Sequence, residues 1–376
     1  MSDIQNVIKK LLEEKELEGP FSAENDRSYR EDLEYRLNTF IKRVSEFSNE
    51  SGIIEKELIN NVSDLEKIKS LILETIDMYL SGSAGKAYII FEKILSLPVV
   101  KKYMPLLFKD IGIYNGRFGS SLYRVRCSEL PIKNIKELFH IPFNLRHLVG
   151  SQRYSIAGVP CLYLGTSLFV CWQEMGTPDL NSLYLSRFIY NSDKETKYLD
   201  FSYSLDTMVF TGLCKHIEGN DDDIPVDLAK IILFPILIAC SYNRSHIFAA
   251  FNEEYIIPNL LLQWISKEET EISGIAYLST KMHQMRGGNL GINFVFPPKS
   301  YSVKPSGFCK ELSDMFMLTK PVSWQLLNTV NISSETFYNE YSRVDNMEGE
   351  YLKNYKATEF YAQERKLENL KVEKLP

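Results

Sequence analysis

The sequence predicts an α+β fold, in which an all-α helical bundle precedes a second domain of short strands and helices. Apolar residues in the first third recur three or four positions apart, the spacing that lines one face of a helix. After Tyr114-Asn115-Gly116 the segments are shorter, richer in aromatic and β-branched residues, and interrupted by Gly and Pro. Strands and helices do not alternate regularly there, so a parallel βαβ sheet is not expected.

Length and composition indicate a folded protein of about two domains. The chain has 376 residues, of which 44% are hydrophobic and 24% are charged, so the disordered and fibrous classes are excluded. Its net charge of −6 provides no overall positive field for phosphate backbones. Nucleic acid is therefore not an expected partner.

Membrane and export signals are not found in the sequence. The longest apolar run, Ile231 to Cys240, contains Pro235 and has about half of the roughly 20 residues that a membrane-spanning helix needs. Residues 1–18 mix charges with scattered apolar residues, unlike a secretion signal. The six cysteines form no CxxC pair, which is typical of buried thiols in a reducing compartment. We expect a cytoplasmic protein without a membrane partner.

The predicted N-terminal helical domain covers residues 1–115. Its first periodic stretch, Ser28 to Phe47, begins with a capping-box pattern in which Glu31 follows the serine at the required distance. A second stretch runs from Ile54 to Ile76, with an alternative helix start inside it at Ser63, which Glu66 follows at the capping distance. A third helix is predicted from Lys86 to Leu97, and it ends there because a proline follows. These stretches predict a small antiparallel bundle.

Residues 116–310 form the predicted strand-rich domain, and residues 311–376 form a C-terminal extension. The predicted strands are Leu122–Cys127, Pro160–Gly165, Lys197–Phe201, Gly274–Ser279 and Asn289–Phe296. The predicted helices between them are Ser167–Met175, Val226–Tyr242 and Ile256–Ser266. Beyond Arg343 charges are dense and apolar residues sparse, so this end is predicted to be a solvated helix or partly disordered.

Two glycine-rich segments resemble common binding motifs but lack residues or spacings that those motifs require, and other common catalytic or metal-binding patterns do not occur in the sequence. Gly82 to Ala87 resembles a phosphate loop, but it lacks the first glycine and the magnesium-binding hydroxyl, and it follows a predicted helix. Gly287 to Gly291 has the wrong glycine spacing for a dinucleotide fingerprint. The histidines are too widely spaced for a local metal site, and no serine-hydrolase elbow occurs. Both glycine-rich segments are predicted to be turns, and no metal is expected.

Two arginines stand out on the predicted strand Leu122–Cys127. Side chains alternate along a strand, so Arg124 and Arg126 project from one face about 7 Å apart. Two guanidinium groups side by side suit a pyrophosphate, because each donates bidentate hydrogen bonds to phosphate oxygens. A salt-bridged or solvated edge strand would carry the same pattern.

Glu174 is the second unusual residue, since it lies near the end of an otherwise apolar helix. A buried carboxylate is costly without a partner, so Glu174 lies either at a surface edge or in a functional site. From the residues alone, both interpretations remain open.

Four motifs in order resemble the RES domain family, which is named for its Arg, Glu and Ser. The motifs are Leu122-Tyr123-Arg124-Val125-Arg126, then His140-Ile141-Pro142-Phe143, then Arg153-Tyr154-Ser155 with Gly158, Tyr163-Leu164-Gly165 and Glu174, and finally the block of Glu254 to Leu261, Gly274 to Ser279 and Asn289 to Phe296. The resemblance covers roughly residues 121–299. The sequence departs from the family at Tyr154, where many relatives carry Trp, and at Asn259, where Gln commonly follows the proline.

The resemblance implies a fold similar to ADP-ribosyltransferase toxins and an enzyme that breaks NAD at the nicotinamide–ribose bond. It implies that Glu174 stabilises the ribosyl cation and that Arg124 and Arg153 bind the diphosphate or ribose-phosphate region. It also implies that Tyr163 packs against the nicotinamide ring or the adjacent ribose. NAD would thus be the substrate and partner. The implied catalytic residues are Glu174, Arg153 and Tyr163, and the implied NAD-binding residues are Arg124, Arg126, Ser155, Ser279 and Asn289.

The resemblance also implies a bacterial toxin or antiphage defence effector, acting as an NAD glycohydrolase or phosphorylase. Alternatives are an ADP-ribosyltransferase that modifies a macromolecule, and a catalytically silent module that senses NAD or ADP-ribose. An antitoxin or regulatory protein is an implied partner. The apolar stripe of the helical bundle is also compatible with a homo-oligomer.

Overall fold

The computed structural model describes residues 3–24, 26–49, 52–113, 121–191, 195–218, 224–246, 249–281, 289–299, 307–330 and 355–375. The predicted domain boundary at residues 114–116 lies outside these ranges. Two compact units are distinguished along the chain. A helical unit comprises Met1–Phe108, Ser151–Ile156 and Tyr203–Trp264, and a sheet unit comprises Lys109–Gly150, Ala157–Ser202 and Ile265–Pro376.

This division differs from the three segments proposed from sequence, residues 1–115, 116–310 and 311–376. Residues 203–264 group with the N-terminal helices, and the described part of 311–376 groups with the sheet. The predicted α+β class is confirmed, because helices and a mixed sheet both occur.

The helical unit contains helices numbered along the chain. They are α1 (Asp3–Leu11), α2 (Tyr29–Glu46), α3 (Ile53–Asn60), α4 (Val62–Leu80), α5 (Ala84–Ser96), α6 (Pro98–Tyr103), α8 (Leu205–Glu218), α9 (Ile224–Ile232), α10 (Phe234–Cys240) and α11 (Ile256–Ile265). The predicted capping box is confirmed at the start of α2, where Ser28 and Glu31 bond reciprocally. Helices α4 and α5 are joined by a short turn at Gly82 with φ of 84°, so the phosphate-loop interpretation is excluded as predicted.

The helix predicted from Val226 to Tyr242 is interrupted at Leu233, which lies between α9 and α10. Pro235 occupies the first turn of α10, where a missing amide hydrogen costs little. Every residue of α10 is buried, and the helix packs against α2 and α4. This packing explains why residues 203–264 group with the N-terminal helices. In the described part of the chain, no helix is long and apolar enough to cross a membrane.

The described strands of the sheet unit form one mixed sheet. They are β1 (Phe108–Asp110), β2 (Ser121–Cys127), β3 (Leu162–Gly165), β4 (Leu183–Tyr190), β5 (Lys197–Phe201), β6 (Ile272–Leu278), β7 (Ile292–Phe296), β8 (Phe316–Thr319), β9 (Val322–Ser323) and β10 (Val372–Lys374). The order is β1-β5-β6-β7-β3-β2-β4-β8-β10, with β9 paired to β4. Strands β5 and β6 are parallel, and the pairs from β6 to β10 are antiparallel.

The two faces of the sheet carry separate hydrophobic cores. Consecutive residues point to opposite faces, and Leu122 belongs to one core while Tyr123 belongs to the other. The Tyr123 face packs against α7 (Leu168–Glu174) and α14 (Glu359–Glu368), and the helices α12 (Lys310–Met315) and α13 (Trp324–Thr329) complete the unit.

The C-terminal residues are part of the core, which corrects the prediction of a solvated end. Residues 343–354 lie outside the described ranges, whereas α14 is helical as predicted but carries a fully buried Phe360 and Leu367. Strand β10 pairs with β8 at the sheet edge. Glu364 is buried with the apolar residues, whereas the other charged residues of α14 are exposed or half-buried, because an amphipathic helix needs only one face to dock.

Candidate functional site

The sheet and helix α7 bring Glu174 to a fixed position. Strand β3 leads within three residues into α7, whose first turn is capped by the Ser167 side chain. A Cβ atom at Gly165 would lie 2.6 Å from the Cys171 Sγ, so only glycine allows the strand and helix to approach this closely. Glu174 is the last residue of α7, and 32% of its side-chain surface is exposed.

Two neutral donors hold one oxygen of the Glu174 carboxylate. The Ser279 hydroxyl donates to Oε1 at 2.7 Å, and the Asn293 side-chain amide donates to the same oxygen at 2.8 Å. Both donors are 6% exposed, so their geometry is set by the core. The carboxylate is thereby oriented while part of its surface stays accessible to a ligand.

The strand register explains why these residues meet. Tyr277 on β6 lies opposite Asn293 on β7, which in turn lies opposite Gly165 on β3. Ser279 follows the end of β6, and its backbone amide donates to the Gly291 carbonyl at 2.8 Å. Three adjacent strands therefore place Ser279, Asn293 and the start of α7 along one line.

Lys281 adds a positive charge to this cluster. Its Nζ donates to the backbone carbonyls of Glu174 at 2.7 Å and Gln173 at 3.2 Å. The same ammonium lies 3.7 Å from Glu174 Oε2. A cation at this position complements the negative end of the helix dipole. Lys281 thus fixes the C-terminus of α7 and faces the second oxygen of the carboxylate.

Arg124 lies where strands β2 and β3 separate. The two strands share one registered pair, Tyr123 opposite Gly165, and beyond it the Arg124 Nη1 donates to the Tyr163 carbonyl at 2.9 Å. Burial lowers the pKa of Arg124 to about 10, yet the guanidinium remains cationic at neutral pH. Burial also raises the pKa of Tyr163 well above its usual value, so this phenol stays neutral.

Arg126 is more exposed than Arg124, and its Nη1 donates to the Glu137 carbonyl at 2.9 Å. Both guanidinium groups are thus anchored by backbone oxygens of other segments. Cys171, beside Arg124, donates to the Tyr123 carbonyl at 3.3 Å, and burial raises its pKa to about 12. The thiol is therefore protonated and is not a nucleophile in this state.

Arg153 and Ser155 belong to the helical unit. Arg153 is 8% exposed, and Tyr154 adopts a positive φ of 59°. The Ser155 amide donates to Asn259 Oδ1 at 2.8 Å, and the Ser155 hydroxyl donates to the Gln152 carbonyl. Asn259, one of the two departures from the RES pattern, therefore holds the Arg153-Tyr154-Ser155 segment. The predicted NAD contacts of Arg153 and Ser155 stay predictions.

The structure brings together Glu174 and Ser279 as direct partners, and Arg124 with the backbone of Tyr163. Asn289 opens the turn Asn289–Gly291, so β7 begins three residues later than predicted. The side chain of Asn289 lies outside the described part of the chain, and its NAD contact stays a prediction.

Sequence reasoning missed Asn293 and Lys281 as site residues. A polar residue within the apolar strand Ile292–Phe296 was an available signal for Asn293. Lys281 follows Ser279 by two residues, but nothing in its spacing indicated that it reaches back to α7.

The fold and this site define an α+β protein with an oriented glutamate at the end of a helix. The chain is 32% identical over 311 residues to a protein of Bacillus subtilis (strain 168) named "Putative toxin YopC", and the match covers 80% of this chain and 69% of that protein. The chain belongs to the YopC family. No protein-family model matches the chain, and no solved structure matches it.

Proposed function

We propose that this chain is a toxin of the RES type that cleaves NAD between nicotinamide and ribose, with Glu174 as the central catalytic residue. Two independent points support the proposal. The relative carries the name "Putative toxin YopC", and the ordered RES-like motifs include Glu174 together with its partners Ser279 and Asn293. An ADP-ribosyltransferase-like fold is part of the same proposal.

The geometry of Glu174 is the observation that carries this proposal. When the glycosidic C–N bond of NAD breaks, its electron pair leaves with nicotinamide, and the ribosyl carbon becomes positive. A carboxylate fixed before the reaction stabilises this charge without reorganising. Ser279 and Asn293 hold one oxygen of Glu174, which leaves the carboxylate oriented and partly exposed.

The cationic and aromatic residues have complementary proposed roles. Arg124 supplies positive charge for the diphosphate of NAD, and guanidinium groups suit phosphate oxygens. Tyr163, neutral and half-buried, offers a ring face for nicotinamide or ribose. Water completes hydrolysis by adding to the ribosyl carbon and releasing a proton, whereas phosphate in the same position gives phosphorolysis.

Product analysis tests the proposal and identifies the acceptor. Purified protein is incubated with NAD, with and without phosphate, and nicotinamide and ribosyl products are separated by liquid chromatography. We expect nicotinamide release, with ADP-ribose as the product of hydrolysis and a phosphorylated ADP-ribose as the product of phosphorolysis. ADP-ribose attached to protein or nucleic acid in an added lysate would instead indicate the transferase. NAD binding without nicotinamide release would contradict catalysis and favour a sensor.

The toxin role is tested in cells. We expect induced expression of the wild type in bacteria to deplete NAD before growth stops, and Glu174→Gln to do neither. Because a toxin must be restrained in the cell that makes it, the proposed partner is an antitoxin or regulatory protein acting in the cytoplasm. Growth arrest with unchanged NAD would contradict the proposed reaction while leaving a toxin role intact.

A further inference from the structure

Glu364 connects the C-terminal helix α14 to the helix that carries Glu174. Its Oε1 accepts a hydrogen bond from the Leu168 backbone amide at 2.7 Å and another from the Tyr355 hydroxyl at 2.6 Å. The Glu364 side chain is 2% exposed, and Leu168 is fully buried. Two residues separated by 196 positions in the chain thus meet in the core.

The Leu168 amide is one of the donors that α7 cannot satisfy by itself. The first turn of a helix leaves its amide hydrogens without intrahelical acceptors. Ser167 caps the Val170 amide at 3.0 Å, and Glu364 accepts from Leu168. The helix has only seven residues, so the orientation of its first turn determines where Glu174 lies at its end.

Aromatic packing fixes the same pair of helices along their length. The ring of Phe360 on α14 lies with its centroid 5.3 Å from that of Phe169 and 5.4 Å from that of Trp172, both on α7. Phe360 also packs at 5.3 Å against Trp324. This packing turns one face of α7 toward α14. The Glu364 hydrogen bond adds a directional contact at the first turn of the same helix.

The Glu364 site is electrically neutral near pH 7. Burial and, to a smaller extent, the nearby Glu368 raise the pKa of Glu364, while the bonds from Tyr355 and Leu168 lower it, and the resulting pKa is about 8. Burial also keeps Tyr355, Tyr123 and Cys171 protonated. A neutral carboxyl acts through its hydrogen bonds and not through the helix dipole. Glutamine, which has the same shape and the same acceptor oxygen, is therefore its close substitute.

We propose that Glu364 is a positioning residue, which holds α7 by its Leu168 amide so that Glu174 reaches its partners Ser279 and Asn293. This inference rests on the proposed NAD-cleaving function and extends it to the C-terminal segment. Glu364 is not among the hydrogen-bond partners of the Glu174 carboxylate described above. It acts through α7, so its loss is expected to disorder the end of the helix and slow the chemical step more than substrate binding.

Three variants of the full chain test this role. Glu364→Ala removes the acceptor, and Glu364→Gln retains it. Gln363→Ala is the matched control, because Gln363 is equally buried on α14 but bonds to Asn328 on α13. Amide hydrogen exchange of the α7 segment is measured by mass spectrometry, and kcat and KM for NAD are measured by nicotinamide release.

Glu364→Ala is expected to increase exchange in α7 and to lower kcat about 10- to 100-fold with KM nearly unchanged. Glu364→Gln is expected to restore both, and Gln363→Ala to leave both near wild type. Equal effects of Glu364→Ala and Gln363→Ala would overturn the proposal, as would unchanged α7 exchange or failure of glutamine to restore kcat. If the wild type releases no nicotinamide, the proposed function fails instead, and the exchange data still show whether Glu364 holds α7.

Discussion

Ser279 donates its hydroxyl hydrogen to the Glu174 carboxylate at 2.7 Å, although 105 positions separate the two residues in the chain. The bond joins the end of β6 to the end of α7 and is buried on the serine side. It converts a glutamate at a helix terminus into a carboxylate of fixed orientation. The proposed chemistry depends on this orientation, because a preorganised charge stabilises a developing cation without solvent rearrangement.

Ser279→Ala removes one of the two neutral donors to Glu174 Oε1. A hydrogen bond to a charged group contributes about 1.5–3 kcal/mol, so we expect kcat for nicotinamide release to fall about 10- to 100-fold. Ser313→Ala is the control, since the Ser313 hydroxyl donates to the carbonyl of Cys309, the residue that precedes α12. Wild-type kcat in Ser279→Ala would show that the bond does not prepare Glu174 for catalysis.

Lys281→Met keeps the length of the side chain but removes the cation at the C-terminus of α7. Loss of a favourable charge at a helix end is expected to lower the free energy of unfolding by about 0.3–1 kcal/mol. Nicotinamide release should also slow, because the Glu174 backbone loses its donor. Urea denaturation and kcat measure the two effects. Lys320→Met is the control, because 69% of the Lys320 side-chain surface is exposed and its Nζ lies 3.8 Å from Glu373 Oε1. Removing such an exposed ion pair is expected to change stability and activity little. Identical results for both lysines would contradict a specific role for Lys281.

We expect His140 to make the free energy of unfolding depend on pH. Its Nε2 accepts from the Cys309 amide at 2.8 Å, and its Nδ1 donates to the Ile141 carbonyl at 2.7 Å, so the ring is neutral. Burial lowers the pKa of His140 to about 4 from 6.5. The unfolded chain therefore binds more protons between these pH values, and stability falls as the pH decreases, by up to about 1.4 kcal/mol per unit.

Urea unfolding at pH 7, 6 and 5 measures this effect. His140→Gln should lower stability at pH 7 and flatten its dependence on pH. His147→Gln, at an exposed position, should behave as the wild type at every pH. Parallel curves for the wild type and His140→Gln would exclude His140 as the titrating group.

Local patterns in the sequence predicted most of the helices and several strands. The capping box of Ser28 and Glu31 and the periodic stretch that follows it depend on neighbours in the chain, so α2 was predicted almost to the residue. Strand β5, Lys197–Phe201, was predicted with its observed bounds. The break between α9 and α10 was missed, because a continuous apolar run has no alternation of polar and apolar residues from which an interruption could be located.

Interactions between distant segments were harder to predict. Strand β4 pairs along its length with β2, but its sequence was not recognised as a strand. The C-terminal helix α14 looked solvated because its charges are dense, and only its docking on α7 gives the buried Phe360 and Glu364 a role. Strand pairing and helix docking depend on partners that the local sequence does not contain.

The site was predicted in part. The resemblance drew attention to Glu174 and Ser279, and the structure shows them in direct contact. Asn293 and Lys281 were not anticipated, because each reaches Glu174 only through the sheet register or a turn. The RES resemblance itself stays a prediction, as does the reaction with NAD.

Nicotinamide release by the purified protein is the most direct test of the central claim, with Glu174→Gln compared with the wild type. Glutamine keeps the shape of the side chain and removes its charge, so binding of NAD should persist while kcat is nearly lost. Glu271→Gln, an exposed substitution, serves as the matched control and should remain fully active. The account predicts rapid nicotinamide release by the wild type and Glu271→Gln, with almost none from Glu174→Gln. Full NAD cleavage by Glu174→Gln would contradict it.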